Sequence, residues 1–335
     1  MNSLPLGKLP PALLDKLLSK IPILDQNVVL GPGTGIDCSV IDIGSQYLVI
    51  KSDPISLTSE NIGWYAVEIN TNDIVTTGAD PKWMMATLLL PENDTTAEQV
   101  EIILDQLIDA TRKYDITLIG GHTEITNGVN RPILASTMLG LVDKNKLITP
   151  KGINSGDIIF LTKEVAIEAV SILANDFSNK LKGVLSFEEI ERAKSYIINP
   201  GISIYKEATL LRGGFGITGM HDPTEGGISA ALWEMSTASG KILQIDLENI
   251  PVSNLARKIC DHFSINPINS ISSGALLFTA QPEYKERIMK LLNDNSIHIS
   301  EIGVVLDNGV RVESHDQKGK TLLPHPQQDE ITKVF

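Results

Sequence analysis

Residues 61–81 read NIGWYAVEINTNDIVTTGADP. Ile62, Ala66, Ile69 and Ile74 recur at helical spacing, and Gly78 is placed to end a helix. After Pro81, the apolar run 84–90, closed by Pro91, reads as the strand that follows. Asn70, Asn72 and Asp73 are odd occupants of so apolar a helix. A carboxylate on a largely buried helix is costly unless it is paired or bound to a metal. The other reading of Asp73 is a residue on a solvated face.

The same alternation extends in both directions. Upstream lie a short amphipathic helix at 11–20, the glycine-rich loop GPGTGID at 31–37, and a strand at 47–50 that runs into Lys51-Ser52-Asp53-Pro54. Downstream, residues 96–113 carry the clearest helical pattern, with Val100, Ile103, Leu104, Leu107 and Ile108 on one side. A strand at 116–119 is expected to end at Gly120-Gly121, and 132–142 reads as another strand. Residues 147–155, with Pro150 and Gly152, mark a domain boundary. Beyond it come a strand at 157–161, helices at 164–175 and 187–197, and a strand-turn-helix unit at 215–237. Strands near 242–246 and 275–279, a helix at 282–293 and a strand at 298–306 follow. Alternating strands and helices argue an α/β (α+β layered) architecture. The expected domains are 1–150 and 151–315, with a loosely held polar tail at 316–335.

Composition narrows the function. Over 335 residues, 42% hydrophobic and 21% charged content is that of an ordinary globular chain. A formal net charge of −13 argues against a nucleic-acid partner and against an anionic membrane surface. The two cysteines, Cys38 and Cys260, imply no disulfide framework. No stretch resembles a signal peptide or a membrane span, so a cytoplasmic protein is expected.

Five features offer chemistry. In GPGTGID the glycines, Gly33 and Gly35 among them, let backbone approach a ligand, while Asp37 suits a divalent cation or a turn cap. Asp53 follows an apolar strand, where α/β sheets bind ligands, but an Asp before Pro is also a common turn residue. Asp73 is the third carboxylate. The fourth feature is Gly120-Gly121-His122-Thr123-Glu124, read as a nucleotide or metal corner or as a capped turn. The fifth is His221-Asp222-Pro223-Thr224-Glu225-Gly226-Gly227 ahead of a helix, where Thr224 is placed as N-cap and free N–H groups could receive an anion. Lys8 and Lys51 are candidate phosphate contacts or solvated lysines.

The order of these motifs resembles the AIR synthase (PurM-like) superfamily. The matching residues are Gly35-Ile36-Asp37-Cys38-Ser39-Val40, Lys51-Ser52-Asp53, Asn72-Asp73-Ile74 through Gly78-Ala79-Asp80-Pro81, Gly120-Gly121-His122-Thr123, and Asp222-Pro223-Thr224-Glu225-Gly226-Gly227. The Asp-Pro-Thr-x-Gly-Gly form is most similar to the hydrogenase maturation (HypE-like) branch. The resemblance implies an N-terminal domain that pairs with its twin into a shared β-barrel, and a C-terminal α/β domain. It implies ATP and Mg²⁺ as cofactors, with Asp37, Asp53 and Asp73 on the metal and Glu124 substituting where His122 replaces an acidic residue. Lys51, Thr123, Thr224, Gly226 and Gly227, with Gly33 and Gly35, would contact the nucleotide, and His122 or His221 would move a proton. It further implies phosphoryl transfer to an oxygen of an amide-like substrate, small or protein-bound. Two other readings stand beside this: a maturation factor acting on a partner's thiol, and a nucleotide-binding scaffold. The branch carries a Pro-Arg-x-Cys tail, whereas this sequence reads Ile331-Thr332-Lys333-Val334-Phe335 there.

Overall fold

The protein is described by a computed structural model covering residues 4, 6–56, 58–316 and 319–335. It divides into two units. One comprises Ile23–Gly31 and Asp37–Leu147; the other comprises the segment up to Pro22, Pro32–Ile36 and Ile148–Phe335. The glycine-rich loop is therefore shared, with Asp37 in the first unit and Gly33 and Gly35 in the second.

The first unit is an open six-stranded sheet covered by two helices. Its strands are β1 (Val28–Leu30), β2 (Ser39–Asp42), β3 (Gln46–Ile55), β4 (Asp80–Pro91), β5 (Thr117–Thr126) and β6 (Ile133–Asp143). Their spatial order is β1-β2-β3-β6-β4-β5, antiparallel throughout except for the parallel pair β4–β5. Helix α1 (Pro11–Leu18) belongs to the second unit, whereas α2 (Ile62–Thr76) and α3 (Ala97–Lys113) pack on this sheet. Thr96 and Gln99 close a capping box that starts α3. Every residue of α2 except Trp64 is buried, because β3, β4 and β6 press on one side and α3 on the other. That enclosure explains its blurred periodicity: a helix surrounded by protein needs no polar face.

Two local expectations are corrected. Strand β3 does not stop before Asp53 but continues through Pro54 to Ile55 along β6. Its pairing with β2 ends at Ile50, so Pro54 needs no donor on its other side. Strand β5 likewise runs straight through Gly120-Gly121 instead of turning there. The glycines serve close approach: a Cβ on Gly121 would lie 1.8 Å from the Ala86 carbonyl oxygen.

The second unit is a seven-stranded sheet, β13-β12-β9-β11-β7-β10-β8, antiparallel except for β9–β12. The strands are β7 (Ile158–Thr162), β8 (Ile217–His221), β9 (Lys241–Asp246), β10 (Leu277–Ala280), β11 (Ile299–Asn308), β12 (Arg311–Asp316) and β13 (Gly319–Leu322). Helices α4 (Ile167–Asp176), α5 (Ser178–Leu181), α6 (Phe187–Lys194), α7 (Tyr205–Leu211), α8 (Gly227–Ser239), α9 (Asn254–Phe263) and α10 (Lys285–Asp294) complete it. The core joins Ile159, Leu161, Leu243, Leu277 and Ile302 to Ile228, Leu232 and Met235 of α8. The polar tail is not loose: Leu323, Asp329 and Ile331 are all buried. Among the described residues no helix is long and apolar enough to cross a membrane.

The contact at Gly121 makes a prediction. Gly121→Ala should destabilise the chain by about 2–3 kcal/mol in chemical denaturation, because the methyl must displace the β4 backbone. Gly120→Ala, whose Cβ meets nothing within 4 Å, should cost about 1 kcal/mol for its positive φ alone. Equal costs would show that the close approach to Ala86 does not matter.

Candidate functional site

In the first unit, Lys51 and Asp53 lie two residues apart on β3 and so share one face of the sheet. Helix α2 covers that face and brings Asp73 to it. The Lys51 ammonium stands 3.1 Å from Asp73 Oδ1 and 3.5 Å from Asp53 Oδ2. Burial alone would push that ammonium down. The carboxylates of Asp73, Asp37 and Asp53 outweigh it and hold Lys51 well above the usual lysine range. The three aspartates of three separate segments therefore converge on one half-buried cation. Cys38 is also here, its Sγ donating to the Asp73 carbonyl at 3.4 Å.

Three carboxylates face one ammonium in a site where the side chains of Lys51 and Asp73 are 14% and 3% exposed. Hard oxygen donors suit Mg²⁺, which takes about one or two carboxylates from protein and leaves its remaining positions to water and phosphate. The donor set fits the ion.

Glu124, His122 and Thr123 are not part of this cluster. They lie on β5, and β6 and β4 separate β5 from β3: Asp53 pairs with Ser136, Ser136 with Ala86, and Ala86 with Gly121. Three strand spacings put the two groups about 14 Å apart within one chain. Glu124 Oε2 instead faces His122 Nε2 at 3.3 Å on the exposed surface. His122 and Thr123 border a cavity of about 240 Å³ walled by Leu104, Leu107 and Gly121.

In the second unit, β8 ends at His221 and the chain turns through Asp222-Pro223-Thr224-Glu225 into α8. Thr224 is not the N-cap. Gly226 holds that position with φ of +83°, a conformation glycine adopts without strain, and as a glycine it brings no capping side chain of its own. The Thr224 carbonyl accepts the Gly227 N–H at 2.9 Å. The Gly226 N–H donates to Asp329 Oδ2 at 2.6 Å. Thr224 Oγ1 accepts from Lys8 Nζ at 3.0 Å.

His221 is buried, and its Nε2 lies 2.9 Å from Glu234 Oε2. Lys8 Nζ is 3.6 Å from both Glu234 Oε1 and Glu225 Oε2. Gly35, with φ of +74°, packs so tightly that a Cβ would lie 2.3 Å from the Glu234 carbonyl oxygen. That glycine is demanded by protein packing. Gly33 closes a turn, its carbonyl accepting the Ile36 N–H at 3.1 Å.

Glu234 and Asp329 were absent from the sequence reading. Glu234 carried a signal, being the single charged residue of α8. Asp329 carried none, since nothing in a polar tail marks the residue that folds back over a hundred positions.

The Lys51 cluster makes a prediction. Lys51→Gln removes the internal cation and should cost about 3 kcal/mol, the order expected for breaking a buried ion pair. Millimolar Mg²⁺ should raise the melting temperature of this variant more than that of the parent chain. An equal Mg²⁺ response would separate the carboxylates from any divalent ion.

Comparison with known proteins finds relatives along most of the chain. The model of the AIR synthase related protein N-terminal domain matches residues 35–142, and that of its C-terminal domain matches 154–315. A Methanocaldococcus jannaschii protein named for hydrogenase expression/formation is 26% identical, over 84% of this chain and 82% of its own. The carbamoyl dehydratase HypE of Bradyrhizobium diazoefficiens is 26% identical, over 74% and 71%. The crystal structure of the hydrogenase maturation protein HypE in complex with ATP superposes with a TM-score of 0.73 at 18% identity, covering 95% of this chain and 91% of that one. Two domain models spanning most of the sequence, in the order in which the motifs occur, show that the chain belongs to the AIR synthase related family.

Proposed function

We propose that this protein is a Mg²⁺-dependent, ATP-using enzyme that phosphorylates an oxygen of an amide-like acceptor, small or protein-bound. The observation that carries the reading is the meeting of Asp37, Asp53 and Asp73 around Lys51. An acidic cluster cannot receive a polyphosphate by itself. With Mg²⁺ held by those three carboxylates, charge neutralisation for the phosphates becomes available there. Family membership and the ATP-bound structural neighbour support the nucleotide.

The remaining roles fall to residues of the chain itself. Lys51 keeps its charge and fixes the carboxylates in place. Thr224, Gly226 and Gly227, with Lys8 on the Thr224 hydroxyl, are the proposed phosphate contacts of the second unit. His221 is the better placed of the two proposed proton carriers. Its Nε2 is engaged by Glu234, which orients the ring and stabilises the charged form when the proton arrives. Phosphorylating the acceptor oxygen turns a poor leaving group into a good one, and the enzyme's share is positioning and charge.

The acceptor is not a thiol of this chain among the described residues. Cys38 and Cys260 are both buried, and burial pushes the Cys260 thiol up to about 12. That observation, together with the names of the relatives, favours a second reading in which a maturation partner presents the group to be modified. We also propose a homodimer through β5. This edge strand of the first sheet leaves Ile119 and Ile125 more than half exposed, and a twin strand would cover its unpaired backbone.

Calorimetric titration with Mg-ATP tests the reading. Asp53→Asn should weaken binding by about a hundredfold or more, while Glu124→Gln, remote from the cluster within the chain, should change it by less than about threefold. Unchanged affinity in Asp53→Asn would remove the metal assignment. Tight binding without ADP release, across a screen of amide metabolites and candidate partners, would identify a scaffold instead.

A further inference from the structure

The N-terminus of α8 is capped from 103 residues away. Helices are ordinarily capped by a Ser, Thr, Asp or Asn at their own first turn, and such a cap stays with the helix. Here the N-cap residue is a glycine with no side chain to offer, and the carboxyl of Asp329 takes the Gly226 N–H at 2.6 Å. Its other oxygen accepts the Ile331 N–H at 2.8 Å. The cap therefore belongs to a different segment from the helix it serves.

The segment bearing Asp329 is anchored at both ends. Before it, Leu323 is buried, its carbonyl accepts the Trp233 indole N–H at 3.0 Å, and the His325 ring lies 5.5 Å from Trp233. After it, Ile331 is wholly buried and Phe335 meets Phe177 edge-on at 5.3 Å. Glu330 accepts the Asn266 N–H at 3.3 Å. The chain thus passes directly over the turn that opens α8.

We propose that residues 319–335 form a strap whose Asp329 carboxyl occupies the glycine turn, and that a phosphate-bearing ligand must displace it to bind there. The inference rests on the proposed phosphate contact of that turn. The Asp329 oxygen and a phosphate oxygen cannot both take the Gly226 N–H, so strap and ligand compete, and the apparent affinity for the ligand is reduced by the fraction of chains with the strap in place.

Competition of this kind depends on pH. Burial pushes the Asp329 carboxyl up to about 7, against the pull of its two N–H donors; Glu225 on the turn adds to the rise and Lys8 opposes it. Within the strap, Glu330 is turned to Asn266 and Lys333, and His325 lies against Trp233. A group that binds its proton more tightly when docked than when free favours docking at low pH. Docking is therefore strongest near the ordinary carboxylate range. It weakens as pH rises toward 7, by up to about tenfold per unit, and levels off above about 8.

Acrylamide quenching of Trp233 in the full chain, isolated by comparison with Trp233→Phe, reads whether the strap is down. In the parent chain quenching should rise at least about twofold between pH 5.5 and 8.5. In Asp329→Asn, which keeps an acceptor but cannot ionise, it should stay flat. Ile331→Ala, which loosens an anchor without touching the turn, should raise quenching at both pH values and tighten Mg-pyrophosphate binding about threefold to tenfold. Mg-pyrophosphate itself should raise quenching in the parent chain. A pH-independent parent, the same rise in Asp329→Asn, or pyrophosphate binding that leaves Trp233 as shielded as before would each overturn the strap. Displacement by Mg-pyrophosphate with none by Mg-ATP would uphold the strap and sink the nucleotide reading.

Discussion

The first unit is organised around one ammonium group. Lys51 sits among Asp37, Asp53 and Asp73 in a place where neither sign of charge could stay alone. Asp73 is 2% exposed on a helix enclosed on all sides, and without a cation beside it that carboxylate would be driven to protonate. Without the carboxylates, the lysine would be driven to lose its proton. Each partner is kept ionised by the other, and the register of β3 against β6 and the seating of α2 on the sheet are what hold them together. The charge state of the cluster is thereby a property of the fold.

The second unit handles charge differently. Its acidic groups are distributed along a chain of contacts, His221 to Glu234, Glu234 to Lys8, and Lys8 to Thr224 and Glu225. A segment from near the N-terminus thereby neutralises a turn more than two hundred residues away, while Asp329 caps that same turn from the other end of the sequence. These contacts all come from segments distant in sequence. They suit a turn that must hold its shape yet remain able to exchange partners. The rigid part is the packing beneath, where Ile228, Leu232 and Met235 seat α8 on the sheet.

Edge exposure is the remaining theme. Strand β5 presents an unpaired backbone and apolar side chains, with His122, Thr123 and Glu124 along it. In a single chain these residues are remote from the aspartates.

Periodicity alone located α2 and α3, most of the sheet strands and the strand-turn-helix unit that ends in α8, because apolar spacing reflects which face is buried. Family membership was legible too, since five short motifs in order need no coordinates. The run Gly120-Gly121 misled because glycine marks both a turn and a strand pressed against a neighbouring carbonyl, and only the position of Ala86 distinguishes them. Thr224 misled for a similar reason: a residue suited to capping does not cap when the glycine two places later adopts the left-handed conformation. Sequence determined which groups the chain carries and their local spacing, such as Lys51 and Asp53 on one face of a strand. Tertiary structure decided which charges meet, separating Glu124 from the aspartates and bringing Asp329 to Gly226. Coulombic and hydrogen-bonding energies depend on distance through space, and distance along a chain does not encode it.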